Sequence, residues 1–292
     1  MAKALGAALA RRLDWLEPLA DAAQRRANAL LTRDGAPTTA KSWLNGVWLG
    51  HPLHPALTDV PIGAWTMALM LDGVAVVSDS DGLRQAADAT LAIGVAGALG
   101  AAASGAADWS DTQGETRRIG LLHAVLNSVA LGLNLWSLLG RRRGHRGAAL
   151  ALSVAGYAIA SVSASIGGEL VFRRGIGVSH QIWPEPPQEF TPVISYDALA
   201  DGRLTRARAG DVPVCLLRRG EQIVAVEEWC THLGGPLSEG QLDGTAVTCP
   251  WHGSRFDLES GEPLNGPATA PLRRLETRLQ DGRVEVRLPS AG

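Results

Sequence analysis

Two hydrophobic rhythms divide this chain. Between residues 4 and 31, Leu5, Leu9, Leu13, Leu16, Leu19, Ala23, Ala27 and Leu30 recur every three or four positions, opposite Arg11, Arg12, Arg25 and Arg26. That period predicts an amphipathic helix, bent or restarted at Pro18. Continuous apolar runs follow at 56–77, 86–107, 119–139 and 148–166. Each is about long enough to cross a hydrocarbon layer of ~30 Å at ~1.5 Å per residue, so four membrane spans are expected. Small residues at four-residue spacing, Gly156, Ala160, Ala164 and Gly168, let helices approach closely in lipid and predict a compact bundle.

Past residue 180 the rhythm changes. The stretch 181–192, Q-I-W-P-E-P-P-Q-E-F-T-P, predicts an extended, semi-rigid tether. Short β-patterned runs come next at 212–217, 223–226, 246–249, 275–279 and 284–288, the last two joined through Asp281 and Gly282 as a hairpin. The expected organisation is multidomain. An amphipathic segment (1–50) precedes an all-α four-helix transmembrane bundle (51–180), a linker (181–192) and an all-β domain (193–289).

A formal charge of −2 gives no electrostatic footprint for nucleic acid. The charge is unevenly placed: residues 1–180 carry 16 Lys and Arg against 13 Asp and Glu, and residues 181–292 carry 11 against 16. Two environments are implied. The Arg11–Arg12 pair is followed by Asp14 and Glu17 rather than by an uninterrupted apolar core, which speaks against an export signal. With Trp43 and Trp48 behind it, the basic helix suits a membrane lipid surface better than a docking site on another domain.

Candidate chemistry concentrates between Trp229 and Phe256. One residue separates Cys230 from His232, and two separate Cys249 from His252. Two thiolates and two imidazoles arriving as matched pairs from two loops suit a two-iron, two-sulfide cluster, with the cysteines on one iron and the histidines on the other. Structural zinc takes the same residue types but usually spaces its first pair by two to four residues. Gly234, Gly235, Pro250 and Gly253 let the backbone bend tightly and offer N–H groups to sulfide. Of the three cysteines, Cys215 is left without a disulfide partner and reads as a small buried apolar residue in V-P-V-C-L-L.

The boxes C-T-H-L-G-G and C-P-W-H-G-S-R-F resemble those of a Rieske domain, over roughly the last hundred residues. The resemblance implies a β-sandwich and a [2Fe-2S] cluster on Cys230, His232, Cys249 and His252 that moves one electron at a time. Rieske domains of cytochrome bc complexes carry an additional, disulfide-forming cysteine in each box, where this chain has Gly235 and Trp251. Phe256 stands where a tyrosine hydroxyl would reach a cysteine sulfur, while Ser254 is retained. Fewer hydrogen bonds to sulfur imply a potential in the lower part of the roughly −150 to +300 mV Rieske range. Residues 51–180, opening H-P-L-H-P-A-L-T-D-V-P-I-G-A-W, resemble an uncharacterised family of small bacterial four-helix membrane domains, some of them fused to Rieske domains.

Four spans put both ends of the bundle on one side of the membrane, and His54, Asp108, His123, Glu169 and His180 fall near that side. Prolines after His51 and His54 favour extended geometry at both. His123, Asn127 and Asn134 form a single helical stripe that should face the bundle interior. Two readings stay open for it. One is interhelical hydrogen bonding that holds the bundle together. The other is a site: a b-type haem with His54 and His123 as axial ligands, another metal, or a quinone. His51 and His180 are substitute ligands, and Asp59 or Asp108 could orient an imidazole.

Basic residues are balanced across the membrane. Lys41, Arg117, Arg118, Arg173 and Arg174 flank one side, and Arg84, Arg141, Arg142, Arg143 and Arg146 the other. The missing export signal and the basic helix place the β domain in the cytoplasm, on an inner (plasma) membrane. The function expected is a membrane-anchored electron carrier serving a redox partner protein or a quinone. Alternatives are a subunit of a quinol-oxidising or haem-linked oxidoreductase, and a redox sensor. A terminal oxygenase needs a second iron on two histidines and a carboxylate, and no histidine follows His252.

Overall fold

The computed structural model describes residues 14–34, 36–181 and 185–289. The opening of the expected amphipathic helix, residues 4–13, lies outside the described residues. Two compact units are formed, one from residues up to 29 with 53–174, the other from 30–52 with 175–292. The segment expected as 1–50 is therefore divided between them.

Six α-helices occur among the described residues: α1 (Glu17–Leu31), α2 (Thr39–Asn45), α3 (Leu53–Ser78), α4 (Asp81–Trp109), α5 (Gly114–Arg142) and α6 (Arg146–Phe172). The last four contain the expected spans and are long and apolar enough to cross a membrane. Helix α3 starts earlier than the apolar pattern, with Leu53, His54 and Pro55 in its first turn. A proline is tolerated there because its missing N–H would have had no helical partner, so the expected extended geometry at His54 gives way. Ser80 caps α4, its hydroxyl accepting from the Leu83 N–H at 3.4 Å. Close packing depends on missing side chains: a methyl on Gly94 would lie 2.3 Å from Trp65, and one on Gly156 2.6 Å from Asn134.

Both ends of the bundle carry polar fastenings. Helix α1 lies against the α4–α5 connection, where the Gln24 amide donates to the Thr112 carbonyl at 2.8 Å and to that of Trp109 at 3.3 Å. Arg117 pairs with Asp21 at 2.5 Å and Arg118 with Glu17 at 2.7 Å. At the other end, Arg141 pairs with Asp72 at 2.5 Å and with Asp88 at 2.9 Å, and Arg146 reaches both carboxylates at 3.0 Å. The Arg141 and Asp72 side chains are 0% and 3% exposed. Sequence reasoning counted Arg141 and Arg146 as charges flanking the membrane. Both are paired with carboxylates on α3 and α4, Arg141 fully buried and Arg146 31% exposed.

The second unit is an antiparallel β structure. After the short pair β1 (Thr32–Arg33) and β2 (Ala36–Pro37) come β3 (Thr191–Ser195), β4 (Leu204–Ala209), β5 (Val212–Arg219), β6 (Gln222–Glu227), β7 (Gln241–Asp243), β8 (Ala246–Thr248), β9 (Arg255–Asp257), β10 (Pro263–Asn265), β11 (Arg274–Gln280) and β12 (Arg283–Arg287). Six strands pair in the order β3-β12-β11-β6-β5-β4, and four in the order β10-β9-β8-β7. Strand β5 is buried on both faces. Cys215 and Leu217 join a core with Val247 and Phe256, while Val214 and Leu216 join another with Val284 and Val286. Double burial explains why this strand reads as a continuous apolar run. The β11–β12 turn has Asp281 at φ 51° and Gly282 at φ 71°, the positive pair such a hairpin needs.

The tether is shorter than expected. Gln181 is buried, and its carboxamide oxygen accepts from the Arg273 N–H at 2.7 Å. On the far side of residues 182–184, the Pro187 carbonyl accepts from Leu288 at 2.7 Å. The Phe190 ring lies under the guanidinium groups of Arg278 and Arg287, at 4.2 and 4.4 Å. Cation–π contacts and backbone pairing thus hold most of the described proline-rich stretch to the β domain.

Candidate metal centre

Two loops carry the four candidate ligands, and they fold alike. In the first, after β6, the Cys230 N–H donates to the Gly235 carbonyl and the Gly234 N–H donates back to the Cys230 carbonyl, both at 2.9 Å. In the second, between β8 and β9, the Cys249 N–H donates to Ser254 at 2.8 Å and the Gly253 N–H to Cys249 at 3.1 Å. The fifth residue of each turn is a glycine in the left-handed region, Gly234 at φ 76° and Gly253 at φ 74°. A side chain there would strain both turns. The glycine spacing visible in the sequence is thus the requirement of one turn used twice.

The turns bring the cysteines together inside the domain and the histidines together closer to its surface. Cys230 and Cys249 are 1% and 3% exposed and hydrogen-bonded to each other. The His232 and His252 rings are half-buried, 5.1 Å apart and nearly perpendicular. Backbone N–H groups of Trp251 and His252 point at the Cys249 sulfur, and the His232 N–H and Ser254 hydroxyl at that of Cys230. The Ser254 hydroxyl in turn accepts from Ala268 at 3.0 Å. Gly235 presses on the Cys249 sulfur, where a methyl would lie 2.6 Å away.

The electrostatics favour one thiolate in the cysteine pair, at Cys249, and a neutral His232 imidazole. The Cys230 thiol beside Cys249, helped by the Trp251 and His252 N–H groups, holds Cys249 down at about 7, and the same contact together with burial raises Cys230. Burial pushes His232 well below the usual histidine range, and the positive charges of His252, Lys41 and His180 push the same way. Among the described residues, no group of three or more His, Cys, Asp or Glu side chains is placed to hold one metal ion. The donors stand instead as a thiol pair and an imidazole pair, which suits two irons better than one zinc.

The Rieske [2Fe-2S] domain model matches residues 189–276. Ferredoxin CarAc of Metapseudomonas resinovorans is 42% identical over 79 residues, which make up 27% of this chain and 74% of that one. The anthranilate 1,2-dioxygenase ferredoxin subunit of Burkholderia cepacia is 33% identical over 98 residues, 34% of this chain and 91% of the other. The chain belongs to the Rieske [2Fe-2S] family. Residues 50–180 match a second family, the predicted membrane protein family DUF2231. A solved complex of reduced oxygenase and oxidized ferredoxin in carbazole 1,9a-dioxygenase includes a chain 37% identical to this one. That match covers 34% of this chain and 94% of the other, at a TM-score of 0.32.

Several residues outside the Rieske match surround the ligand loops, and sequence reasoning assigned none of them there. Gln181 donates to the Trp229 and Glu227 carbonyls at the base of the first loop. His180 lies against Gly234, whose added methyl would sit 3.6 Å from the ring, and helps to line a groove with Arg206, Trp229, Leu233 and Trp251. Lys41 is 1% exposed and acts on His232. No motif signals these contacts, since they join residues far apart in the chain.

The helical histidines meet as the sequence suggests, with His54 and His123 ring centroids 6.4 Å apart. His51 and His180 belong to the second unit. At Nδ1 of both rings the partner is a backbone carbonyl rather than the carboxylate of Asp59 or Asp108. His54 Nδ1 bonds to the Ala101 carbonyl at 2.8 Å, and His123 Nδ1 to that of Ser163 at 2.9 Å. The Asn127 amide sits 3.1 Å from His123 Nε2, the nitrogen a haem iron would need. The expected haem therefore finds no support in this geometry, and the two histidines bond instead to groups on α4, α5 and α6. Asn134 is fully buried; its amide donates to the Ala130 carbonyl at 2.9 Å, one turn back in α5, and its Oδ1 has no hydrogen-bond partner.

Proposed function

We propose that Cys230, His232, Cys249 and His252 hold one [2Fe-2S] cluster and that the protein is a membrane-anchored one-electron carrier. The observation that carries this reading is the repeated turn, which delivers a thiol pair and an imidazole pair to one place. When bound, the cluster takes up and releases single electrons. The chain's own residues do the rest. Buried cysteines and N–H groups around their sulfurs hold the inner end, and the half-buried histidine edge beside the exposed Trp251 gives an electron its shortest way out.

The partner in this reading is a protein that accepts or donates one electron, as the ferredoxin components among the relatives suggest. A quinol-oxidising subunit is less favoured, because Gly235 and Trp251 replace the cysteine pair of the cytochrome bc type. The bundle serves as the anchor, and His54 and His123 fasten it. In this reading the Rieske domain faces the cytoplasm, and protease added outside intact cells should leave it uncut; digestion there overturns this orientation.

The carrier reading is tested by mixing dithionite-reduced protein in lipid vesicles with oxidised cytochrome c. Reoxidation should be second order, with a rate proportional to cytochrome c concentration. A cluster that stays reduced at every concentration identifies a sensor instead.

A further inference from the structure

We propose that Trp43 and Trp48 form an aromatic foot by which the unit bearing the metal centre rests in the headgroup layer of the bilayer. The proposal rests on the membrane-anchor reading above and goes beyond it, since an anchor alone leaves that unit free to range on its connections. The two indoles are 57% and 56% exposed, and they stack with ring centroids 5.6 Å apart and planes 21° from parallel. Leu49 extends the same stretch of exposed apolar surface.

Local structure makes this face. Helix α2 stops at Gly46, whose φ of 89° is a left-handed conformation that a side chain would strain. The chain turns back through Val47–Leu49, which lays Trp48 against Trp43, and the Trp48 indole N–H donates to the Trp43 carbonyl at 3.1 Å. An indole whose N–H is already bonded leaves water at low cost. Tryptophan joins a large apolar body to one polar edge, which is why it collects where hydrocarbon meets headgroups.

The face is fixed to the Rieske domain. The Ser42 hydroxyl bonds to Asn265 and accepts from the Gly266 N–H at 3.1 Å, and Asn265 donates to the Pro37 carbonyl at 3.2 Å. A methyl on Gly266 would meet Val47 at 2.9 Å. Two residues further on, the Ala268 N–H donates to Ser254, whose hydroxyl reaches the Cys230 sulfur. Whatever holds Trp43 and Trp48 therefore holds the ligand loops too.

Connectivity identifies the occupant as lipid. The chain passes between the two units at residues 29–30, 52–53 and 174–175. Trp48 stands five residues before Leu53, the first residue of a helix long and apolar enough to cross a membrane. Five residues reach at most ~18 Å. A methyl on Gly177 would lie 3.4 Å from Pro52, so the exit toward the first span and the return from the last meet on this unit. A stacked, exposed aromatic pair within that reach of a span fits the interfacial belt.

The test is fluorine NMR of the oxidised full chain in phosphatidylcholine nanodiscs, with its nine tryptophans replaced by fluorotryptophan. Trp43→Phe, Trp48→Phe, Trp136→Phe and Trp251→Phe assign four of the signals. Trp136, 62% exposed on α5, reports lipid contact, and Trp251, 56% exposed beside the ligand loops, reports its absence. With a phosphatidylcholine that carries a nitroxide near the top of its acyl chain, the Trp43 and Trp48 signals should fall to about half or less, as that of Trp136 does, while Trp251 keeps its own. Full Trp43 and Trp48 signals beside a quenched Trp136 overturn the proposal while the anchor stands. Loss to a water-soluble gadolinium chelate then shows a face open to water, and persistence under both agents a face covered by protein. Quenching of Trp251 as strong as that of the pair also overturns the proposal. An unquenched Trp136 defeats the anchor reading itself, and the foot with it.

Discussion

A methyl group on Gly235 would lie 2.6 Å from the Cys249 sulfur, closer than side-chain carbons approach any atom in folded proteins. The glycine of one ligand loop is thus in contact with the ligand of the other. In Gly235→Ala either the sulfur or the loop must move, and a cluster held from both sides tolerates neither. The expected outcome is a folded protein with little or no bound iron, measured as iron per chain with the far-UV spectrum as the folding control. Full iron content in this variant would contradict the placement of the two loops.

The ligand loops were legible in the sequence because the turn that builds them needs its residues in fixed order: Cys230 with Gly234, and Cys249 with Gly253. The spans were legible through length and apolarity, and β5 and the β11–β12 hairpin through burial and turn chemistry. Strands β7, β9 and β10, only three residues each, leave no period to detect. Other features were hidden for a different reason. Lys41 and Ser42 beside the Rieske domain, Gln181 beneath the first ligand loop, and Arg141 against Asp72 are all meetings of residues distant in the chain. A periodicity read along the sequence cannot register them. His54 was misread because a rule about the residue before proline yielded to the first turn of α3.

Ser254 links the loops to the potential. Its hydroxyl reaches the Cys230 sulfur, while buried Phe256 offers no hydroxyl at the neighbouring strand position. The midpoint should lie in the lower part of the roughly −150 to +300 mV Rieske range, and Ser254→Ala should lower it further. A redox titration placing the wild type near the top of that range, or Ser254→Ala above it, would contradict this.

The Asp72–Arg141 pair should matter most to the bundle. Removing Asp72 leaves buried Arg141 with less compensation, and breaking a buried pair costs ~3–5 kcal/mol. Asp72→Ala should unfold at correspondingly lower denaturant, with Asp72→Ala/Arg141→Met recovering part of the loss. A single variant within about 0.5 kcal/mol of wild type would show that the pair holds nothing.

Glu227 should make stability depend on pH. Burial raises its carboxyl to about 7 against the pull of Arg273, 2.8 Å away. Between the unfolded value of about 4.3 and about 7 the native state binds the extra proton, so stability should fall as pH rises through that window. It should be flat above it as far as this group is concerned. Glu227→Gln should lose this slope in melting temperatures measured from pH 4.5 to 7.5, and an unchanged slope would assign it to another group.

The central claim is that two cysteines and two histidines hold one cluster, and low-temperature EPR of the dithionite-reduced full-length protein tests it most directly. The account expects a Rieske-type signal of about one spin per chain. It should vanish in His232→Ala and in His252→Ala. An unaltered signal in either variant, or a wild-type protein that binds zinc and gives no signal, would contradict the account.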